Sequence, residues 1–400
     1  MSSSSQLQSV PTLTPIAIDV AFGDAAVDFT EYFFSSWYPL VQDYTFPTVT
    51  LPLTLHEAEA MIAFRSEARI AHYLASHSPR SHEDALQSTE DVDIAARRAE
   101  SMRLVFSSFS LVEYPAVSLP PEVTRVLDGI REKIETGMIH LLGSNDSERG
   151  IFVKLSCRSP KDAVLLLPQF EQVFTQEARR SPIESQHPST DMALAFCRAT
   201  FSALRITSAQ SGLSLLLASQ RIADDLDLSV QRLREDPTKQ WQMDILLRKW
   251  QDIDTLGEIR VFVSNGVITA MSQYHEFNYI PQFSDPIFRK KMEAGIRSIF
   301  NVIYKNLPFT SAIIDFAPDA ADVDKIWIIE INPPPPIGGT PLFNWGNPND
   351  RAILLQGPFE FRYVEKPLPR DDCSLPPKYV TMYNDIRSRQ TPLLKDCHIS

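Results

Sequence analysis

Asp315, Glu330 and Asn332 are the residues whose types and spacing most plainly imply chemistry. They lie in the stretch Thr310 to Trp345, where two strand-like runs flank an acidic, Pro-containing turn. The first run, Ser311 to Phe316, ends on Asp315; the second, Lys325 to Asn332, ends on Glu330 and Asn332. Strand alternation points Glu330 and Asn332 to the same side. If the runs pair as a hairpin, Asp315 sits across from them and three oxygen ligands converge at one sheet end. That donor set suits a hard cation such as Mg²⁺, with nucleotide phosphates as further ligands. Burying three polar groups at the end of apolar strands without a ligand is costly, which favours the metal reading. Pro333 to Pro336 can continue neither a ladder nor a helix, so the strand stops beside these ligands.

Cationic groups appear earlier in the chain. Lys154 stands in the strand-like run Ile151 to Cys157, flanked by apolar residues. On a sheet edge it would simply be solvated; facing a cleft it is a natural phosphate ligand. Arg248, Lys249 and Trp250 end a second run, Met243 to Trp250, where plain surface charge is the competing reading for the two cations. Glu258 to Tyr274 is a hairpin turning at Asn265-Gly266, with Glu258, Arg260 and Phe262 on one face. The bland reading of Glu258 and Arg260 is a same-face ion pair of modest worth.

The elements that must hold these residues follow from pattern. Thr54 with Glu57 forms a capping box before a helix running to about His77. Pro120-Pro121 opens another helix, with Val123, Val126, Leu127, Ile130 and Ile134 at helical spacing. Thr207 and Ser208 cap a third, and Ser284 to Leu307 is amphipathic. Residues 77–98 predict a polar surface excursion, and Met102 to Val112 a strand. The aromatic run Phe33 to Pro39 predicts a hydrophobic anchor of the N-terminal lobe. The expected organisation is a disordered start over 1–30, an N-terminal lobe over 31–240 that includes the Lys154 strand, a C-terminal lobe over 241–366, and a polar tail over 367–400.

Composition narrows the function classes. A net charge of −12 argues against a general nucleic-acid-coating role, DNA included. Cys157, Cys197, Cys373 and Cys397 are far apart, which argues against a zinc site or a disulfide framework and suits a reducing, cytoplasmic setting. No apolar run approaches membrane-spanning length, and the N-terminus lacks a secretory pattern. Neither a Walker-type loop nor a GxGxxG strand-turn-helix is present. The order of a strand lysine, a cationic strand end, a hairpin and a carboxylate hairpin matches an ATP-grasp site. The fold expectation is therefore α+β, ATP-grasp-like, with two lobes of mostly antiparallel sheet and a cleft between them.

The chain resembles the cell division cycle protein 123 family, an ATP-grasp group that assists assembly of eukaryotic translation initiation factor two. The matching pieces are Phe34 to Pro39, Val153 to Leu155 with Ser159 to Ala163, Leu247 to Trp250, Glu258 to Val263, Ser272 to Tyr274, Asp315, and Ile329 to Pro333. They run in family order from about residue 33 to 365. The resemblance implies Lys154 and Arg260 as phosphate contacts of ATP, Arg248 to Trp250 as an adenine-side hinge, and Asp315, Glu330 and Asn332 as Mg²⁺ ligands.

One segment departs from the family. Its closing Asp-Phe-Asn-Pro-Phe-Gly is Glu330-Ile331-Asn332-Pro333-Pro334-Pro335 here, and Trp345 is followed by Gly346-Asn347 instead of two glutamates. In that drift the chain resembles fungal arginine-containing cyclodipeptide synthases. The expectation that follows is a peptide-bond-forming enzyme of fungal secondary metabolism that joins arginine, from arginyl-tRNA, to a second amino acid as a cyclic dipeptide. Arg260 or Lys154 would then stabilise the oxyanion, and Glu258 or Glu330 would accept the proton. Two alternatives stand beside it. One is an ATP-binding assembly chaperone acting on the gamma subunit of the initiation factor; the other is an ATP-dependent carboxylate-amine ligase.

Overall fold

The computed structural model describes residues 30–76, 119–143, 149–167, 169–182, 187–236, 238–276, 278–367 and 375–390. The expected disordered start, the excursion at 77–98 and the strand at 102–112 lie outside them. The architecture is α+β, built on two sheets. The smaller has the order β1-β3-β2, with β1 Thr48–Pro52, β2 Ile151–Leu155 and β3 Asp244–Lys249, all antiparallel. Thus β3, from beyond residue 240, is the central strand between two strands that precede it.

The larger sheet has the order β7-β6-β4-β5-β8. Its strands are β4 Ile259–Ser264, β5 Val267–Gln273, β6 Ala312–Pro318, β7 Ile326–Asn332 and β8 Glu360–Arg362. Pairing is antiparallel except for β8, which runs parallel to β5. Asn265 and Gly266 both take positive φ, 51° and 76°, as a two-residue hairpin turn between twisted strands requires.

Local signals place the flanking helices. Helix α1 is Phe34–Val41. Helix α2, Leu55–Ser76, opens with the Thr54/Glu57 capping box, each side chain reaching the other's backbone N–H. Helix α3 is Pro121–Leu142, α4 Phe170–Arg180 and α5 Pro188–Ser202. The pattern after Ser208 reads as one helix but folds as two, α6 Ala209–Ala218 and α7 Gln220–Glu235. Ser219 has extended backbone and caps Ile222, so a second start signal wins over continuity of the apolar stripe. Helix α8, Pro286–Ile303, packs Met292, Ile296 and Phe300 under the large sheet.

Two cores follow. One gathers α2, α3, α6 and the small sheet; the other gathers α8 and one face of the large sheet. Phe34 and Trp37 pack in the second, so the aromatic run anchors to the large sheet and not to the N-terminal core. The polar tail holds a further helix, α10, Pro377–Gln390, which follows α9, Pro348–Gln356. Its Tyr379 meets Phe170 and Phe174 at 5.2 Å between ring centroids, which fixes it on the first core. Among the described residues, no helix is long and apolar enough to cross a membrane.

Candidate functional site

Cross-strand register assembles the site. Ser272 on β5 pairs with Arg260 on β4, Arg260 with Asp315 on β6, and Asp315 with Glu330 on β7. Directly opposed residues share a face, so this is a polar row across four strands. Glu258 and Tyr274 extend it two residues away at one end. At the other, Phe262, Ala270 and Ile313 form an apolar half covered by Phe343 and Leu354. The register slips between Asp315 and Phe316, because β7 carries one extra residue, Ile329, between the partners Ile328 and Glu330. This bulge turns the Ile329 carbonyl toward the small sheet.

The small sheet answers from across the cleft. Lys154 pairs in register with Leu246 of β3 and shares its face, while Arg248 lies two residues further on that face. Lys154 is 4% exposed and forms an ion pair with Glu330. Arg260 holds Asp315 in a two-pronged contact, 2.7 Å at each oxygen, and donates to the Gly339 carbonyl at 2.9 Å. Asn332 donates to Asp315 at 3.3 Å. The three expected metal ligands therefore do converge, each beside a cation or an amide.

Electrostatics separates the two glutamates. Burial raises the cost of charge on Glu330, but Lys154, with Lys161 and Arg248 beyond it, wins and holds its carboxyl down to about 2. For Glu258, 1% exposed, burial wins and pushes the carboxyl up to about 8, with Asp315 and Glu330 adding to the rise against Lys161 and Arg260. Its Oε2 has no hydrogen-bond partner, nor has the buried Ser272 hydroxyl. Such orphaned groups on a cleft wall fit a polar ligand. Glu258 also yields a pH prediction. Its raised folded value means the native state binds more protons than the unfolded chain between about pH 4.5 and pH 8. Stability should therefore fall as pH rises through that window, by up to about 1.4 kcal/mol per unit. Glu258→Gln should flatten that part of the profile; chemical denaturation across pH reads it.

Three expected site residues are placed differently. Arg248 is 2% exposed, and its guanidinium donates to the Ile329 carbonyl and to Thr45 Oγ1, both at 2.7 Å, over the rings of Phe34 and Phe46. It fastens the small sheet to the bulge. Lys249 lies on the opposite face of β3 from Lys154. Trp250 donates to Asp252 at 3.0 Å and lines a cavity of about 730 Å³ that neither Lys154 nor Glu330 borders. An adenine-side hinge needs free backbone groups at a strand edge. Here β3 is the middle strand, and the N–H groups of Lys249 and Trp250 already bond to Pro47 and Gly150. The hinge assignment for 248–250 is corrected accordingly.

Pattern reading also passed over Lys161 as a site residue. It lies 3.5 Å from the Tyr274 hydroxyl and over the rings of Phe201 and Tyr274, at 5.0 and 5.1 Å. The available signal was its position six residues beyond β2, the strand that carries Lys154. Asp315, Glu330 and Asn332 are two carboxylates and an amide, and among the described residues no three His, Cys, Asp or Glu gather into a cage. Such an open set fits Mg²⁺, which keeps waters and phosphates as ligands. Lys154 and Arg260, the cations nearest this set, are paired with Glu330 and Asp315.

The two sheets and their flanking helices define an α+β protein. Within that class, residues 195–381 match the family model described as D123. The chain is 29% identical over 157 residues to the translation initiation factor eIF2 assembly protein of Lodderomyces elongisporus, covering 36% of this chain and 40% of that one. It is 30% identical over 156 residues to the protein of that name from Kluyveromyces lactis, covering 38% and 41%. These first relatives are thus matched over about two fifths of their length. The Xenopus laevis protein of that name is 21% identical over 364 residues, covering 87% and 89%. The solved structure of Cdc123 from Schizosaccharomyces pombe aligns with a TM-score of 0.48 at 17% identity, covering 85% of this chain and 99% of that one.

These similarities correct the functional expectation. Relatives named for eIF2 assembly, one of them matched along most of the chain, overturn the peptide-bond-forming enzyme and its aminoacyl-tRNA substrate. The catalytic roles given to Lys154, Glu258, Arg260 and Glu330 lapse with it, and so does the carboxylate-amine ligase.

Proposed function

We propose that this chain is an ATP-binding assembly chaperone of eukaryotic translation initiation factor two, acting on its gamma subunit. The observation that carries the reading is the shared name of the relatives, which extends to one matched over 87% of this chain. The cleft supports the nucleotide part. Lys154 and Arg260 would contact phosphates, and Asp315, Glu330 and Asn332 would hold Mg²⁺ between them. The metal would neutralise phosphate charge beside the two carboxylates. The side chains themselves orient the ligand and fix how far apart the two sheets sit. A cytoplasmic location goes with this reading.

The departing segment is compatible with it. Pro334 to Asn347 lies over the apolar half of the sheet, with Phe343 packed on Phe262 at 5.5 Å between ring centroids. A Cβ on Gly338 would come within 2.4 Å of the Ile313 side chain, so the segment is pressed closely onto β6. The test is replacement in cells: deplete the resident assembly protein, supply this chain, and measure how much of the factor is recovered as the intact trimer. Recovery is expected. Trimer levels no higher than with an empty vector, with this chain well expressed, would contradict the proposal.

A further inference from the structure

The cavity beside Trp250 lies apart from the Lys154–Glu330 pair. Its volume, about 730 Å³, falls within the ~300–1,000 Å³ range of small-ligand sites. Helices α4 and α5 supply Arg180 and Arg198 to one wall, while the segment after β3 and the turn between β6 and β7 supply Asp252, Asp254 and Asp319 to another. Among the described residues, no ion pair joins these two sets, although they line one space. Phe201, Trp250 and Phe288 line it as well. We propose that this cavity binds a short peptide with free ends. Arg180 and Arg198 hold its carboxylate, the aspartates hold its ammonium, and the aromatic rings take its apolar body.

Each wall carries charge that the other does not neutralise. Arg180 and Arg198 both donate to Glu177, through Nη1 at 2.7 Å and Nε at 3.2 Å, so two guanidinium groups share one carboxylate. One positive charge is left over, together with the remaining guanidinium N–H groups. On the other wall, Asp252 accepts from the Trp250 indole, Asp254 from Gln282 and the Leu256 N–H, and Asp319 from the Trp327 indole and the Ala321 N–H, all at 3.0–3.1 Å. These donors are neutral, so they orient the carboxylates and leave the charges standing. Lys325 acts on Asp319 only from beyond ion-pair distance. Asp254 and Asp319 are half-buried, and Asp252 is exposed. A lone cation satisfies one wall and a lone anion the other. A ligand with both charges at the ends of an apolar body satisfies the two together, through charge-assisted hydrogen bonds.

The test pairs each end of the ligand with its wall. Ligand-observed NMR titrations on the full chain compare alanyl-phenylalanyl-alanine with free ends, its C-terminal amide and its N-acetyl form. The free-ended peptide should bind best, and each cap should weaken binding by about tenfold. Arg198→Gln should bind the free-ended peptide and its amide alike, while still disfavouring the acetyl form. Asp254→Asn/Asp319→Asn should do the reverse, since asparagine keeps a carbonyl to accept from Gln282 and Trp327 but lacks the charge. Arg180→Gln and Asp252→Asn, both at exposed positions, serve if the first variants fail to fold. A free-ended peptide that binds no tighter than its capped forms overturns the proposal. So does discrimination at either end that survives in the folded variant of its own wall. Binding of a doubly capped peptide with internal lysine and aspartate, in place of the free-ended one, would make the occupant a protein segment and overturn it as well.

Discussion

Arg260→Ala is expected to lower folding stability by about 3–5 kcal/mol at neutral pH, the usual cost of removing one side of a shielded ion pair. Asp315 is 1% exposed and would be left with the Asn332 amide as its side-chain partner. The Gly339 carbonyl would also lose its donor, loosening the segment after β7. The loss belongs mainly to the stranded carboxylate and not to a missing contact. The double variant Arg260→Ala/Asp315→Ala should therefore be less destabilised than the sum of the two single changes. A double-mutant cycle by urea denaturation checks this. A single variant within experimental error of the wild type would mean that the pair is solvated and weak.

Arg248→Ala is the second large effect, a loss of about 2–5 kcal/mol. This side chain bridges the two sheets. It donates to Ile329 on the large sheet and to Thr45, whose own hydroxyl donates to Ile328 at 2.7 Å. Removing it leaves a cavity between Phe34 and Phe46 and an unpaired carbonyl at the bulge. Burial already lowers the guanidinium to about 10, so the charge itself carries a penalty. Arg248→Met fills the space without donating, and its stability should lie between those of alanine and wild type. Thermal denaturation of the three proteins gives the order.

Much of the frame could be read from the chain because local chemistry determined it. The Asn265-Gly266 turn, the Thr54/Glu57 capping box and the Ser208 cap each need only neighbours in sequence. The convergence of Asp315, Glu330 and Asn332 was legible for the same reason, since one hairpin carries all three. What failed depended on strand order. The resemblance made Arg248 to Trp250 a hinge, and nothing local says that β3 is central, where a strand has no free edge for a base. The partner of Lys154 lies 176 positions away on another sheet, so its ion pair was invisible in the sequence. The helix at 377–390 looked like polar tail because its packing rests on two tyrosines, Tyr379 and Tyr383. The drift after Asn332 suggested a new chemistry, whereas the segment serves to cover Phe262 and Ile313.

Binding to the gamma subunit of the initiation factor is the most direct test of the assembly role. Purified full chain, immobilised and supplied with ATP and Mg²⁺, should retain purified gamma subunit. A relative named as an eIF2 assembly protein, tested beside it with the same gamma preparation, serves as the positive control. Retention above an unrelated ATP-binding protein is the predicted result. No retention by this chain, while the relative binds, would contradict the assembly reading.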